Sequence, residues 1–492
     1  MRRFKALACL GISFCSLTGV MGQETVNTSE KPTSAEASPA DMPDSTVIPL
    51  FPRREVPAVS PDDAPTLPET RGLSAIIWQG PALDAGPGGT EDAVEYGMAR
   101  LLPTVMAPGR TGPKVTLGGQ LQVDAGWFNQ STSSRLSVGD VQDAAGVRRA
   151  RLAGFGSLAE NVDFKLQMDF GFPGRPSYAD AYVDFTNIPF LGVIRVGQFK
   201  QPEGLEYLTS NRFLTFMERG PSNLLMPNRR MGIGTFNRAE DGRATWFFSA
   251  YRSGTDQYGD DLNDNGAFAG MGRMTWLAWD GDFDKYMHFG GSFGFSGATN
   301  GKLRYGSLGG NAPEWGLFVG TIGTPEFANS TPSFADTKSF SAESVVLSNF
   351  EYAFNYGPLA LQGEYTANQV NRPNKPYAFF HGYYAQVSWF ITGESRPYNR
   401  NLAVFDRVVP HTEYGKGRIL GGAWEIAARI SNLDLNSENI NGGNITDGTL
   451  GLNWYANPYT RIYFNAIHSF LQKEPIGPSN ANVFAMRAQV DF

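Results

Sequence analysis

Arginines at alternating positions are the residues of this sequence that could act on a solute. Eight of them lie on the polar faces of segments whose opposite faces are apolar: Arg149, Arg151, Arg195, Arg230, Arg273, Arg429, Arg461 and Arg487. Fixed cations that share an aqueous space attract anions and repel cations. The same faces carry acids such as Asp124, Asp184 and Glu425, so the arginines could equally serve only to pair with carboxylates. Both interpretations stay open at this point.

The sequence offers little for catalysis or for metal binding. It has 4 histidines, and none of them forms an i,i+4 pair. His468 lies on the apolar face of its segment, which makes it a poor general base. Residues 261–266 begin like a calcium loop, but Gly272 stands where that loop needs its bidentate glutamate. We therefore predict no catalytic residue, no metal site and no cofactor.

The first 22 residues have the pattern of a secretory signal peptide. Arg2, Arg3 and Lys5 precede an apolar run that ends in small residues. Both cysteines, Cys9 and Cys15, lie in this segment, so the exported chain would form no disulfides. Its removal would change the formal charge from -7 to -10, with 38 basic against 48 acidic residues. This balance argues against nucleic acid as a partner.

Residues 23–113 are predicted to form a Pro- and Ser-rich, largely disordered periplasmic extension. Up to about residue 70 this stretch is rich in Pro, Ser, Thr, Ala and acids, and it cannot bury enough apolar surface to fold alone. A short helix around 91–102 is the one candidate element.

Period-two alternation dominates residues 114–492. In "VDFKLQMDF", Val162, Phe164 and Leu166 share one face, while Asp163 and Lys165 share the other. There is no apolar run of about 18 residues that would make a transmembrane helix. Sixteen alternating segments can be counted, near 114–128, 147–157, 162–171, 177–186, 192–200, 229–238, 243–252, 266–279, 286–297, 345–355, 359–368, 379–391, 418–431, 446–456, 459–471 and 482–492.

An even number of such strands predicts an all-β fold, a transmembrane antiparallel β-barrel of about 16 strands in the bacterial outer membrane. The connections 201–228, 298–344 and 432–445 are expected to be long loops on one rim, and the other rim is expected to carry short turns. The connection 392–417 is an exception, because it is long on the short-turn rim.

Aromatic residues cluster where strands should reach the short-turn rim, as in the interfacial girdles of membrane barrels. The predicted girdle consists of Trp276, Trp279, Trp389, Phe390, Trp454, Tyr455 and Phe492. Phe492 would end the closing strand, facing lipid at the periplasmic interface. It also resembles the terminal aromatic signal that the barrel-assembly machinery reads, which makes that machinery an expected partner.

Four separated segments carry a family resemblance, and they span the region from about 114 to 492. "VGQFKQPEGLEYLTSNRFLTFMERG" (196–220), "GYYAQVSWFITGESRPY" (382–398), "GAWEIAARISNLDLN" (422–436) and "GTLGLNWYANPYTRIYFN" (448–465) together resemble the phosphate-selective porin O and P family. The resemblance implies a trimeric outer-membrane porin whose third external loop, here about 201–228, folds inward and constricts the channel. It also implies a ladder of inward arginines.

The charged residues at the implied constriction are Lys200, Glu206, Arg212, Glu218 and Arg219. The loop itself holds three acids (with Glu203) against two arginines and no lysine, whereas lysines near the constriction hold the anion in the characterised phosphate channels. We therefore expect weak anion selectivity without tight capture of phosphate.

These features predict a homotrimeric porin, embedded in outer-membrane lipid, that forms a water-filled channel for passive diffusion of small solutes. Anionic solutes are the expected class, with phosphate or polyphosphate among them. Two alternatives stay open: a barrel that serves as a structural anchor for its N-terminal arm, and an outer-membrane hydrolase.

Overall fold

The computed structural model describes residues 112–171, 176–255, 258–259, 267–281, 284–306, 334–416 and 421–492. The predicted signal peptide and nearly all of the predicted extension lie outside these ranges. The helices are α1 (Thr132–Val138) and α2 (Leu205–Leu208). Within the described ranges, no helix is long and apolar enough to span a membrane. The strands are β1 (Lys114–Gln130), β2 (Ala144–Ala159), β3 (Val162–Asp169), β4 (Ser177–Ile188), β5 (Gly192–Lys200), β6 (Arg229–Arg238), β7 (Ala244–Arg252), β8 (Phe268–Asp280), β9 (Lys285–Gly297), β10 (Lys302–Leu303), β11 (Phe340–Ser341), β12 (Ser344–Tyr356), β13 (Leu359–Arg372), β14 (Lys375–Phe390), β15 (Tyr398–Asn399), β16 (Val404–Phe405), β17 (Ala423–Ser437), β18 (Ile440–Asn457), β19 (Thr460–Lys473) and β20 (Gly477–Asp491).

Sixteen of these strands form one closed antiparallel barrel, in the order β1 to β9, β12 to β14 and β17 to β20. The barrel closes because β20 pairs with β1, with Gln120 opposite Asp491 and Trp127 opposite Phe484. The strands β10 with β11, and β15 with β16, form separate two-stranded sheets. The predicted sixteen-stranded barrel is therefore confirmed.

The two faces of each strand meet different surroundings, as the alternation predicts. On β17, Ile426 and Ile430 are exposed on the outside, whereas Glu425 and Arg429 are buried inside. Across the barrel the outward side chains are large and apolar, and Phe293 is 66% exposed. An outer surface of this kind suits hydrocarbon, and a polar interior suits water.

One predicted loop is wrong. Residues 432–445 mostly continue β17 and β18, which pair until Ser437 faces Ile440. The apolar residues Leu433 and Leu435 point inward and are buried, whereas Asp434 and Asn436 alternate with them, so the outward face lacks the apolar residues by which a membrane strand is recognised. An apolar face is needed only where a strand meets lipid, and strands that extend beyond the membrane do without it.

Five of the seven predicted girdle residues lie on the outer face, among them Trp279, and two do not. Trp276 and Trp389 are exposed on the outside, and the Trp454 ring stacks on Trp424 with 5.8 Å between ring centroids. Phe390 and Tyr455 instead point inward and pack together, with their ring centroids 5.8 Å apart. Consecutive residues of a strand face opposite sides. In each of the pairs 389–390 and 454–455, therefore, only one residue can lie on the outer face.

Phe492 lies on the outside and is 63% exposed. Its N–H donates to the carbonyl of Gly119 at 3.0 Å, and its carbonyl accepts from the Gly119 N–H at 2.8 Å. The last residue of the chain therefore completes the seam between β20 and β1.

Candidate functional site

The connection from β5 to β6, residues 201–228, lies inside the barrel, and we call it the inner loop. It contains α2 and a 3-10 turn at Pro221–Leu225, and almost all of its residues are buried. Asn368 of β13 donates to the Leu225 carbonyl at 2.7 Å, and Asn453 of β18 donates to the Thr215 carbonyl at 2.9 Å. Contacts with strands that are not neighbours in the barrel show that the loop extends into the interior.

Wall arginines hold the backbone of this loop. Arg461 donates to the carbonyls of Leu214 at 2.7 Å and Thr215 at 3.1 Å. Arg429 donates to the carbonyl of Glu218 at 3.1 Å, and Arg487 donates to that of Met217. Guanidinium groups form strong, charge-assisted hydrogen bonds. These arginines therefore position the inner loop, in addition to placing positive charge in the interior.

Three arginines surround one carboxylate of the loop, and we call Arg148, Arg149 and Arg487 the arginine cluster. Glu218 Oε1 lies 3.0 Å from Arg149, 3.2 Å from Arg148 and 2.6 Å from Arg487. Glu218 Oε2 accepts a second hydrogen bond from Arg149 at 3.0 Å. Burial acts to raise the pKa of Glu218, but the three arginines outweigh it and hold the pKa well below its ordinary value.

Arg148 was missed by the alternation. Between Gln122 and Val123 the pairing of β1 with β2 shifts by one residue. Gln122 faces Arg149, whereas Val123 faces Val147, so Arg148 has no partner position on β1. This β-bulge allows Arg148 and Arg149 to point inward together. The sequence feature that could have revealed this bulge is the pair Arg148 and Arg149 itself, since strict alternation would place one of the two against lipid.

Three other predicted arginines pair with acids of the wall, two of them on the adjacent strand and Arg273 on the next strand but one. Arg151 lies 2.7 Å from Asp169, and Arg195 lies 2.7 Å from Asp184. Arg273 lies 2.6 Å from Glu351. At these places the alternative interpretation, in which arginines pair with wall carboxylates, describes the structure.

Arg230 lies at the strand end beside the inner loop, where it donates to the carbonyl of Thr255. Its neighbour Arg229 is the residue that reaches the wall acids, with its Nε 2.7 Å from Asp180. Alternation selected one residue of this pair and missed the other.

Two predicted constriction cations hold the helix α2. Lys200 donates to the carbonyl of Tyr207 at 3.0 Å, and Arg219 donates to the carbonyls of Glu206 at 2.8 Å and Thr209 at 2.7 Å. The last carbonyls of a helix have no partner within it, so these cations satisfy groups that would otherwise be buried unpaired.

The remaining constriction residues differ in exposure. The Glu206 carboxylate accepts from the Gly220 N–H at 2.9 Å and lies 3.2 Å from Arg429. Arg212 is the exception, with 18% of its side chain exposed and 3.8 Å between it and Asp491. Lys200, Glu206, Glu218 and Arg219 are thus buried in internal contacts, and of these five residues Arg212 alone is partly exposed.

The long connection at the short-turn rim also enters the barrel, and we call residues 391–416 the rim segment. Arg396 donates to the Phe213 carbonyl at 2.7 Å, and the Phe405 N–H donates to Thr209 Oγ1 at 3.3 Å. Tyr398 lies 2.7 Å from His288 of β9, and Arg407 pairs with Asp491 of β20. The sequence indicated the unusual length of this segment but not its inward path.

Acids are concentrated on the wall formed by β12 and β13. Glu364 accepts hydrogen bonds from the Glu206 N–H and the Tyr384 hydroxyl, both at 2.6 Å. Neither carboxylate oxygen of the buried Glu203 has a hydrogen-bond partner among the described residues. Burial raises the pKa of Glu203 well above its ordinary value, and Glu364 and Glu351 add to the rise. Arginines are thus concentrated on β2, β17, β19 and β20, the arginine-rich side of the interior, and three carboxylates meet beside β12 and β13.

Comparison with known proteins agrees with this architecture. A family model described as phosphate-selective porin O and P matches residues 115–492. Porin O of Pseudomonas aeruginosa is 27% identical over 382 residues, covering 70% of this chain and 80% of that protein. A protein of Caulobacter vibrioides is 23% identical over 432 residues, 80% of each chain. The solved outer membrane channel DcaP of Acinetobacter baumannii has a TM-score of 0.47 at 12% identity, covering 80% of this chain and 100% of that one.

The match to the family model begins one residue into β1 and continues through β20, so it includes the entire barrel apart from Lys114. The chain belongs to the phosphate-selective porin O and P family.

Proposed function

We propose that this porin conducts small solutes by passive diffusion and prefers anions. The observation that carries the proposal is the group of buried guanidiniums on β2, β17, β19 and β20, which consists of Arg151, Arg429, Arg461 and the arginine cluster. The carboxylates in direct contact with them are fewer: Asp124, Asp169, Glu206, Glu218 and Glu425. An excess of fixed positive charge beside a narrowed channel favours anions.

A barrel of sixteen strands is wide enough to enclose an aqueous channel, and the inner loop and the rim segment narrow it. Family membership and fold indicate the bacterial outer membrane, and a channel rather than an enzyme. The relative named Porin O and the family's description support phosphate among the anions that pass. The inner loop holds no lysine, so we propose only weak retention of phosphate.

Reversal potentials in planar bilayers test this function. With a gradient of KCl across the membrane, we expect a sign that reports chloride as the preferred ion. Replacing Arg461 by Gln should reduce the preference, because it removes one guanidinium from the arginine-rich side. The matched control is Arg135→Gln on α1, where 57% of the side chain is exposed, and it should leave the selectivity unchanged.

A preference for potassium in the wild-type channel would contradict the proposal. A correctly inserted barrel with no conductance would favour the alternative in which the barrel anchors the N-terminal arm.

We also propose that the chain is exported by the signal peptide 1–22 and assembles as a homotrimer in outer-membrane lipid. We propose that 23–113 remains a periplasmic extension, and that the barrel-assembly machinery recognises Phe492. The exposed apolar outer face supports contact with lipid, and the exposed terminal ring supports recognition at the end of the chain. Cross-linking in native membranes would distinguish a trimer from a monomer.

A further inference from the structure

We propose that Glu218 acts as a tethered anion in the arginine cluster, and that its carboxylate excludes a divalent oxyanion such as phosphate or sulfate from the position it fills. This inference rests on the proposed anion channel, and it identifies Glu218 as the residue that sets how tightly the channel retains an anion. It also makes Glu218, rather than the missing lysines alone, a cause of weak retention.

The number of arginines around Glu218 is the first argument. Other wall acids contact one or two cationic side chains, as Asp184 contacts Arg195, and Asp180 contacts Lys165 and Arg229. Glu218 instead lies within 3.2 Å of three guanidiniums that come from β2 and β20. Guanidiniums that converge on one point with this geometry are suited to an oxyanion with several acceptor oxygens.

The charge balance is the second argument. Asp124 pairs with Arg487 through two hydrogen bonds of 2.7 Å, so the arginine cluster with its two acids carries a net charge of +1. A divalent oxyanion in place of Glu218 would bring the net charge to zero. The same ion beside Glu218 would bring it to -1 and set two anions in contact, which repel strongly in a buried site. The ion and the Glu218 carboxylate therefore cannot occupy the arginine cluster at the same time.

The anchoring of the loop is the third argument. The carbonyl of Met217 accepts from Arg487, and the carbonyl of Glu218 accepts from Arg429 at 3.1 Å. The backbone on both sides of the Glu218 Cα is thus fixed, which keeps the carboxylate within reach of the arginine cluster. The low pKa of Glu218 keeps the carboxylate charged at neutral pH. The wild-type channel consequently keeps this position filled.

The test is block of the chloride current by sulfate and by phosphate in planar bilayers, comparing the wild type with Glu218→Ala, which removes both the charge and the atoms that fill the position. Sulfate keeps its double charge at every pH used, so it separates oxyanion binding from changes in protonation. We expect the concentration that halves the chloride current to fall at least tenfold in Glu218→Ala for both ions. An unchanged half-blocking concentration would overturn the proposal.

Asp124→Asn is the matched control, because it removes the same charge from the same arginines but leaves Glu218 in place. It should move the reversal potential toward anions without tightening the block by sulfate. Equal tightening in both variants would mean that the effect is one of net charge alone, and would also overturn the proposal.

The double variant Arg148→Gln with Glu218→Ala covers the case in which the single variant does not fold. Its arginine cluster keeps the wild-type net charge of +1 while the carboxylate is gone, and different migration of unboiled and boiled protein on gels would report a folded barrel. A sulfate block tighter than that of the wild type supports the proposal, and an equal block contradicts it. Cation selectivity of the wild-type channel would instead contradict the proposed function, whatever the block shows.

Discussion

Glu203 bears an ionisable group in an environment that does not suit its charge. It is fully buried in the inner loop, and neither of its oxygens has a hydrogen-bond partner among the described residues. Glu364 and Glu351 lie close enough to disfavour its ionisation, in addition to the effect of burial. Such a group is tolerated most easily in its protonated form.

We predict that Glu203 makes the folded barrel less stable as the pH rises. Because its pKa is higher in the folded than in the unfolded chain, the folded chain binds more protons above about pH 4.3, and stability falls as pH increases. Each pKa unit of difference costs about 1.4 kcal/mol at high pH. The unfolding temperature in detergent should therefore decrease from pH 5 to pH 8, and it should decrease less in Glu203→Gln.

Glu240→Gln is the control for this prediction, since Glu240 is exposed in the turn between β6 and β7. Equal slopes of unfolding temperature against pH in wild type and Glu203→Gln would contradict the argument.

Alternation within strands predicted most of the individual arginines that the structure places in the interior, because period two is the geometry of a strand. It could not predict Arg148, whose direction depends on a bulge, or the fact that Glu218 meets the arginine cluster. That contact joins residues far apart in the chain through a loop, and loops follow no period that a sequence displays. For the same reason, residue types alone could not show whether the arginines attract anions or only pair with wall carboxylates.

The rim segment is the element that sequence patterns described least well. It approaches the inner loop from the opposite rim. Arg396 connects the two segments by donating hydrogen bonds to the Phe213 carbonyl and to Thr215 Oγ1. Near the middle of the rim segment, Arg273 of β8 donates to the carbonyls of Leu402 at 3.3 Å and Ala403 at 2.8 Å. The barrel strands, in contrast, were predicted within a few residues wherever one face meets lipid.

We predict that Arg396→Ala loosens the rim segment. Charged hydrogen bonds of this kind contribute about 1.5–3 kcal/mol each, and the substitution removes those to the inner loop. Single-channel current should become larger or noisier, and the segment should be cut faster by protease. Arg400→Ala, in the same segment but with 37% of its side chain exposed, should have a smaller effect. If Arg396→Ala gave the same current trace as the wild type, Arg396 would not be what holds the rim segment to the inner loop.

We predict that deletion of Phe492 impairs assembly more than loss of an equal ring elsewhere on β20. The deletion removes both hydrogen bonds to Gly119 at the seam, together with the terminal aromatic ring. Phe484→Ala is the matched control, because both rings are 63% exposed on the outer face. Folded protein in outer-membrane fractions should drop severalfold only for the deletion, while export stays constant. Comparable yields for the two variants would refute a special role of the last residue.

At the scale of the whole molecule, a closed barrel has no free strand edge, and unfolding must break the ladder as a unit. We predict that unboiled protein in detergent migrates differently from boiled protein on gels. Circular dichroism of residues 112–492 should be dominated by β-structure. A strongly helical spectrum would contradict the architecture.

The pairing of β20 with β1 makes the order of strands a ring. A ring has no required first member, so the chain could be opened at another turn and joined across its present seam. Phe492 lies opposite Gly119, five residues along β1 from Lys114, a distance of about 17 Å in a strand. A flexible linker of about ten residues would span it. A circular permutant opened at the tight turn between β17 and β18, where Ser437 faces Ile440, should then refold in detergent, without the assembly machinery, to the same barrel with every register intact.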